Sequence, residues 1–409
     1  MLRPPQYLIW PLLWSLALMY FWARGPSRSV APGGNADFEV VYNGLQTFQE
    51  GLNPYTAEDV LAVAEEHERH YSMRHYANAR LLYSPGFLAL FGPITLVDYE
   101  TSETVWLALQ LAAFVVLLQT ADALAGLNGK HWKVLLAAGL CFAPVHSNLA
   151  HGQPGIFFCL LTLVFFLCLK KRWDWLGALA FAALLGKPSF AAPAAVVGLI
   201  RGNWRAVAVG CVLGALMWAP YLGRYGVEEG IEFYASAVAE VQASGGDADN
   251  ARANPSRFDM LNVRSWLSSL ALTGTLADGI YYLALIVGAA GLWRCRADDS
   301  GLYWTFAAVF CTLAVYHRFY DASVLFVGVA AALSLWGNNP RKALVLGGCL
   351  SVFAVPGSVA LAQVLGDSTH PLTEALVIRH QTLALLAVAA ASYVWSVAEL
   401  RASSQSARS

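Results

Sequence analysis

The chain has 409 residues, 57% of them hydrophobic and 13% charged, with a mean hydropathy of +0.50. That composition excludes an ordinary soluble domain and points to an all-α polytopic membrane protein. The net charge of −1 says little, because in such a chain charge matters by position.

In chain order, the first apolar run, Tyr7 to Trp22, is flanked by Arg3 and Arg24 and lacks a small-residue cleavage site, so it reads as a retained signal-anchor. Basic residues then cluster in short loops: Lys130 with Lys133, Lys170-Lys171-Arg172, Arg201 with Arg205, Arg294 with Arg296, and Arg341-Lys342. Placing these loops in the cytoplasm gives about twelve spans with both termini inside, near residues 7–23, 103–122, 132–147, 156–169, 173–187, 188–200, 206–222, 279–293, 301–315, 319–336, 343–363 and 380–398. Several fall short of the roughly 20 residues that cross about 30 Å of hydrocarbon, so tilted, broken or protein-embedded helices are expected, with eleven or thirteen spans as alternatives. One integral domain, 1–400, carries outside loops 24–83 and 224–278, and a polar tail, 401–409, is expected to be disordered. The seven cysteines are scattered without CxxC spacing and read as packed thiols.

The first outside interval begins with a Pro/Gly turn, Val30 to Asn35, that delivers Asp37 just outside the membrane. Phe38, Val41, Leu45 and Phe48 recur at helical spacing until Gly51 and Pro54 stop the pattern, which predicts a helix lying at the interface. Asn53-Pro54-Tyr55 follows, then a polar helix over Glu58 to Arg74 whose run Glu65-Glu66-His67-Glu68-Arg69-His70 reads as a solvated face before a metal site. Tyr83-Ser84-Pro85 opens the segment Ser84 to Val97, whose Pro85, Gly86, Gly92 and Pro93 predict a re-entrant or interfacial piece.

Farther along, His146, Asn148, His151 and Gln153 crowd one hairpin and are better explained by a polar cavity than by helix caps. Lys187, between Gly186 and Pro188 at the outer end of a tight helical pair, either snorkels or meets a ligand phosphate. In the second outside interval, Ile231 to Val241 is amphipathic and Ser244 to Asn254 is small and polar. Met260 to Leu270 then turns apolar around Asn262, Arg264 and Trp266, and the interval between Arg224 and Asp278 as a whole reads as a mobile lid or acceptor-binding surface, against a passive loop. Tyr316-His317-Arg318-Phe319-Tyr320-Asp321 reads as a site, against simple pairing of Arg318 with Asp321.

A carboxylate together with cationic groups suits transfer away from an anionic leaving group: the carboxylate accepts the proton of an attacking hydroxyl while Lys, Arg or His offsets charge growing on phosphate. The sequence has no Walker or Rossmann motif, so an activated lipid donor is more natural than a nucleotide, and no nucleic-acid partner is expected. A transporter of lipid-linked precursors is the rival reading, but its charges would gather near mid-membrane rather than at one face.

The ordered set Asp37-Phe38-Glu39-Val40-Val41-Tyr42, Gly51-Leu52-Asn53-Pro54-Tyr55, Tyr83-Ser84-Pro85, His151-Gly152-Gln153-Pro154-Gly155, Gly186-Lys187-Pro188 and the His317 segment resembles glycosyltransferase family 87 over nearly the whole chain. That resemblance implies a C-type glycosyltransferase fold and inverting transfer of a sugar, mannose in the first instance, from a polyprenyl phosphate to a lipid or glycan hydroxyl at the extracytoplasmic face of a bacterial inner membrane. It also implies Asp37 as general base, and Lys187, His317 and Arg318 at the donor phosphate or sugar. His151 and Gln153 fall in the family's Gly-Gln hairpin, and Asn53, Tyr55, Tyr83, Asn262, Arg264 and Asp321 complete the expected substrate-binding set. This chain departs from the family in Pro154 after Gly-Gln and in Tyr-Ser-Pro at 83–85. An N-cap role before a helix starting at Phe38 is the alternative for Asp37. No second carboxylate stands close to it in sequence to make a divalent-cation site compelling.

Overall fold

The computed structural model describes residues 6–31, 34–68, 79–243, 257–355, 357–365 and 370–406. Arg3, Arg69 to Arg74, Ser244 to Asn254, the start of the Gly366 to Glu374 connector and residues 407–409 lie outside the described residues. The described backbone is helical apart from its connections, with one antiparallel bridge between Met260 and Arg318.

The chain opens with α1 (Gln6–Arg24) and a single turn, α2 (Pro26–Ser29). The first polar interval folds as α3 (Ala36–Gln49) and α4 (Ala57–Glu66). Phe38, Val41 and Leu45 form the buried face of α3, as their spacing predicts. The second helix is shorter than Glu58 to Arg74, because Glu68 turns left-handed at φ +54° just past the cap at His67. Next, α5 (Pro85–Phe91) tightens into a 3-10 turn over Gly92–Leu96, rising about 20 Å in all, too short to cross a bilayer.

Beyond it come α6 (Tyr99–Ala125), α7 (Trp132–Leu140), α8 (Ala143–His151), α9 (Gly155–Lys171), α10 (Asp174–Leu184), α11 (Pro188–Ile200), α12 (Trp204–Leu216) and α13 (Ala219–Tyr225). The amphipathic α14 (Val227–Ala243) and α15 (Val263–Ser269) lie in the second long polar interval. The rest is α16 (Gly274–Arg294), α17 (Gly301–Ala314), α18 (Phe326–Trp336), α19 (Pro340–Ser351), α20 (Gly357–Leu365), the turn α21 (Pro371–Thr373) and α22 (His380–Ser406).

Among the described residues, five stretches are long and apolar enough to span: Tyr99–Ala125, Trp204–Tyr225, Gly274–Arg294, Phe319–Trp336 and His380–Gln405. The count reaches seven if the bent pairs Trp132–His151 (56°) and Pro340–Leu365 (58°) each make one span. The protein is thus an all-α, multi-pass membrane protein, and of the twelve spans expected, five to seven have candidates by length and composition among the described residues. All twelve expected segments fall on helix, but hydropathy does not see where a helix stops. Pro144 bends one at α8, and α10, α11 and α17 have 11, 13 and 14 residues. The last helix also continues through Ser406, so the tail expected to be disordered is helical that far. Ser403 and Ser404 hydroxyls bond back to the Glu399 and Arg401 carbonyls.

Helix directions give the bundle two ends. The central α9 lies against α6, α10 and the 3-10 turn Phe319–Leu325, with Phe158, Phe165 and Phe166 buried along it. Its C-terminus belongs to a basic end: Lys170 Nζ donates to Leu124 O at 2.8 Å, and Arg172 donates to Arg201 O at 3.2 Å and Asn203 Oδ1 at 2.8 Å. Its N-terminus, Gly155, lies at the opposite end with Asp321.

Candidate active site

Asp321, 1% exposed, sits in the turn between α17 and α18. Its Oδ1 accepts from Lys187 Nζ at 2.8 Å; its Oδ2 accepts from His317 Nδ1 at 3.2 Å and from the Arg318 main-chain N–H at 3.3 Å. Lys187 and His317 are also buried. Pro188 opens α11 and so leaves Lys187 at the junction of the α10–α11 hairpin, where its ammonium lies 4.8 Å from the Phe190 ring. That ring also meets His317 edge-on at 4.4 Å. Gly155 is what lets α9 begin beneath the carboxylate, since a Cβ there would fall 2.6 Å from Asn148 Oδ1 and 2.9 Å from Asp321 Oδ1.

The strap before α5 is fastened to this hairpin: Ser84 N donates to Gly186 O at 3.1 Å and Ser84 Oγ to Leu185 O at 2.6 Å. Its neighbour Tyr83 stacks on Phe87 with 4.3 Å between centroids, and its hydroxyl donates to Gln153 Oε1 at 3.4 Å. The Tyr55 hydroxyl donates to Tyr83 O at 3.0 Å, which steadies the strap from behind. Desolvation, then the carboxylates of Asp37 and Asp321, hold the Tyr83 phenol well above its ordinary range, with Arg318 opposing. Tyr83 therefore remains a protonated donor whose oxygen feels both carboxylates. Arg318 Nε donates to the Tyr316 hydroxyl at 2.7 Å.

Asp37 is the second residue of α3, half-buried, and no hydrogen bond or salt bridge engages its carboxylate among the described residues. The N-cap position belongs to Asn35, at φ +51°, so Asp37 is not the cap. Asn35 N donates to Ala150 O at 3.3 Å, and its side chain bridges Ser29 Oγ at 2.7 Å and Glu103 Oε1 at 2.9 Å. Gly152, at φ +66°, abuts the same turn; a Cβ there would stand 2.6 Å from Phe38 Cβ. The start of α3 is thereby seated on the hairpin that supplies Gln153.

The other expected residues do different work. Asn53 shapes its own turn, accepting from Tyr55 N at 3.0 Å and donating its main-chain N–H to Asp59 at 2.9 Å. Asn262 caps α15 through Ser265 N at 2.7 Å, and Arg264 is exposed, paired with Asp278 at 2.7 Å. His151 is exposed at the end of α8. The polar cavity expected from His146, Asn148, His151 and Gln153 is divided, because successive polar positions on the α8 helix leave it on different faces. His146 bonds to Leu140 O at 2.9 Å and meets the Tyr20 and Phe21 rings, while Asn148 Nδ2 holds Tyr320 O at 2.8 Å.

Two supports were missed by sequence reasoning: Gln110 Nε2 donates to Gln153 O at 2.6 Å and Trp106 Nε1 to Gly152 O at 2.8 Å. A glutamine inside the apolar run 103–122 was the available signal. His67 contacts Glu50 at 2.8 Å and Gln46 at 2.7 Å, and among the described residues no group of three or more His, Cys, Asp or Glu side chains could hold a metal ion.

The chain is similar to an alpha-(1->3)-arabinofuranosyltransferase of Corynebacterium glutamicum, 24% identical over 217 residues that cover 51% of this chain and 47% of the relative. It thus spans about half the length of that curated relative. No solved structure matches it. The sequence profile of glycosyltransferase family 87 matches residues 81–317, a stretch that contains Tyr83, Gln153, Lys187 and His317. Since that stretch is more than half of the sequence, the protein belongs to glycosyltransferase family 87 and is an enzyme of the transferase class.

Proposed function

We propose that the protein transfers a sugar, with inversion, from a polyprenyl-phosphate donor to a hydroxyl of a lipid or glycan acceptor at the extracytoplasmic face of the membrane. The observation that carries this reading is the buried Lys187–Asp321–His317 cluster beside Tyr83, at the end of the bundle opposite the basic loops. By the positive-inside rule the basic end is cytoplasmic, which puts the cluster outside. The acceptor oxygen attacks the anomeric carbon opposite the phosphate and gives its proton to Asp37; the sugar–phosphate bond breaks, and its electron pair leaves on the polyprenyl phosphate. Lys187 and Asp321 pair and cancel, so Arg318 supplies positive charge for the departing phosphate. Asn53, Asn262 and Arg264 act at a distance as loop supports, and His151 is left to the acceptor side.

The family resemblance favours mannose as the sugar. The name of the Corynebacterium relative favours an arabinofuranose donor as the second reading. Purified enzyme incubated with radiolabelled polyprenyl-phosphate mannose or arabinofuranose and a cell-envelope lipid extract should add one hexose or one pentose to an acceptor, read by mass. Movement of labelled lipid across proteoliposomes with no new glycosidic bond would replace this reading by a transporter. The same assay after exhaustive chelation tells whether a divalent ion takes part.

A further inference from the structure

The second outside interval touches the candidate site through its main chain. Leu261 N donates to His317 O at 3.0 Å, and Met260 pairs with Arg318 in the antiparallel bridge. From the other side, Arg379 NH1 donates to Met260 O at 3.0 Å. The Met260 carbonyl and the Leu261 N–H belong to one planar peptide unit, so a single rigid plate carries the Arg379 guanidinium on one edge and the His317 carbonyl on the other. Hydrogen bonds joined through a peptide polarise one another, and a charged donor at one end strengthens the chain.

Arg379 is built to hold that plate. It is 1% exposed, and its Nε donates to Ser269 Oγ, whose hydroxyl donates to Glu374 Oε1 at 2.7 Å. It therefore grips Met260 just before α15 and Ser269 at its end, a two-point hold that a guanidinium fork makes and an ammonium does not. The residue caps a π-turn over Glu374–Ile378, a geometry that concentrates at functional places in helices. Asn262, next along the chain, caps α15 and keeps the plate in register with that helix.

We infer that Arg379 is a positioning residue: through the Met260–Leu261 peptide it fixes the main chain of His317 and Arg318. The role assigned to Arg318 rests on the proposed function; the linkage does not. Amide exchange tests the linkage without substrate. Arg379→Met should speed deuterium uptake roughly tenfold in peptides covering 258–263 and 315–320 while leaving peptides from α9 unchanged. Unchanged uptake at 258–263, or equal acceleration in α9, overturns the inference.

A double-mutant cycle tests the consequence. Arg379→Met should lower kcat/KM for the lipid donor roughly tenfold in the parent enzyme and less than about twofold when Arg318 is already Met. Equal losses in both backgrounds overturn the positioning role. If the Met variant is not recovered folded, Arg379→Lys, which keeps the charge and loses the fork, is measured in the same two ways. A parent enzyme that transfers nothing from any polyprenyl-phosphate sugar sinks the proposed function, and the exchange result still decides the linkage.

Discussion

At the basic end, Arg201 donates to the carbonyls of Arg296 and Asp298 and to the Asp299 carboxylate, and it lies 5.1 Å from the Tyr303 and Trp304 rings. Asp298 beneath it accepts from Ser300 N at 2.8 Å, Ser300 Oγ at 2.9 Å and Ser396 Oγ at 2.5 Å. At the other end Lys187 meets Asp321 with His317 and Arg318 alongside. Both ends bury a cation near aspartate, yet the first uses a fork to fasten its own loop to the loop before α17, through two carbonyls and one carboxylate. The second holds a point charge beside a tyrosine that feels two carboxylates. Ion pairing alone does not mark a site; on the proposed reading the mark is the half-buried Asp37, which acts on the same Tyr83 phenol and whose carboxylate no hydrogen bond or salt bridge engages among the described residues.

The largest effect that would sharpen this contrast is Asp37→Asn, which should lower transfer about a thousandfold while leaving the melting temperature in detergent unchanged. Near-wild-type product formation would remove Asp37 from the chemistry. Next is a matched pair. Asp321→Asn strands Lys187 and should cost about 3 kcal/mol of stability together with at least about a hundredfold of transfer. Asp299→Asn, which removes a carboxylate that is itself 59% exposed, should stay within about 1 kcal/mol and keep full turnover. Equal losses in unfolding and turnover assays would erase the distinction between the two ends.

Gly155→Ala should cost about 2 kcal/mol by overpacking and raise the donor KM, because the new methyl displaces Asn148 or Asp321. Arg201→Lys should cost about 1 to 2 kcal/mol at constant kcat, since the charge stays and the fork goes. The smallest effect is on pH. The Tyr83 phenol stays protonated in the folded chain where the unfolded chain begins to ionise, so its contribution to stability is present below about pH 10 and falls as pH rises above it. Thermal unfolding of Tyr83→Phe should therefore fall less steeply than wild type above that pH; parallel curves would mean the phenol is well solvated.

Polar residues inside apolar runs made Lys187, His317 and Gln153 legible in the sequence, and the spacing of Phe38, Val41 and Leu45 made α3 legible. The basic loops likewise announced a common end, where Arg172 does reach Arg201. Convergence was not legible: Lys187 and Asp321 lie 134 residues apart, and nothing local encodes their meeting. Helix ends were the second gap, because Pro144 and the left-handed Glu68 act on the backbone without altering hydropathy. The Met260–Leu261 peptide was beyond reach for a third reason, since it engages Arg379 and His317 through its own carbonyl and N–H, which any residues at 260 and 261 would present.

The shortness of α10 and α11 sets a depth. With 11 and 13 residues they rise about 16 and 20 Å, and their far ends are joined at Arg172 and Arg201. If the basic end lies at the cytoplasmic headgroups, as proposed, a hydrocarbon slab about 30 Å thick leaves the hairpin tip that carries Lys187 below the opposite headgroups. Whatever anion meets that ammonium has to sink several ångströms into the leaflet, or the leaflet has to thin around the protein. Bilayer thickness then becomes a variable of turnover, with short-chain lipids favouring the enzyme and long-chain lipids slowing it by deepening the descent.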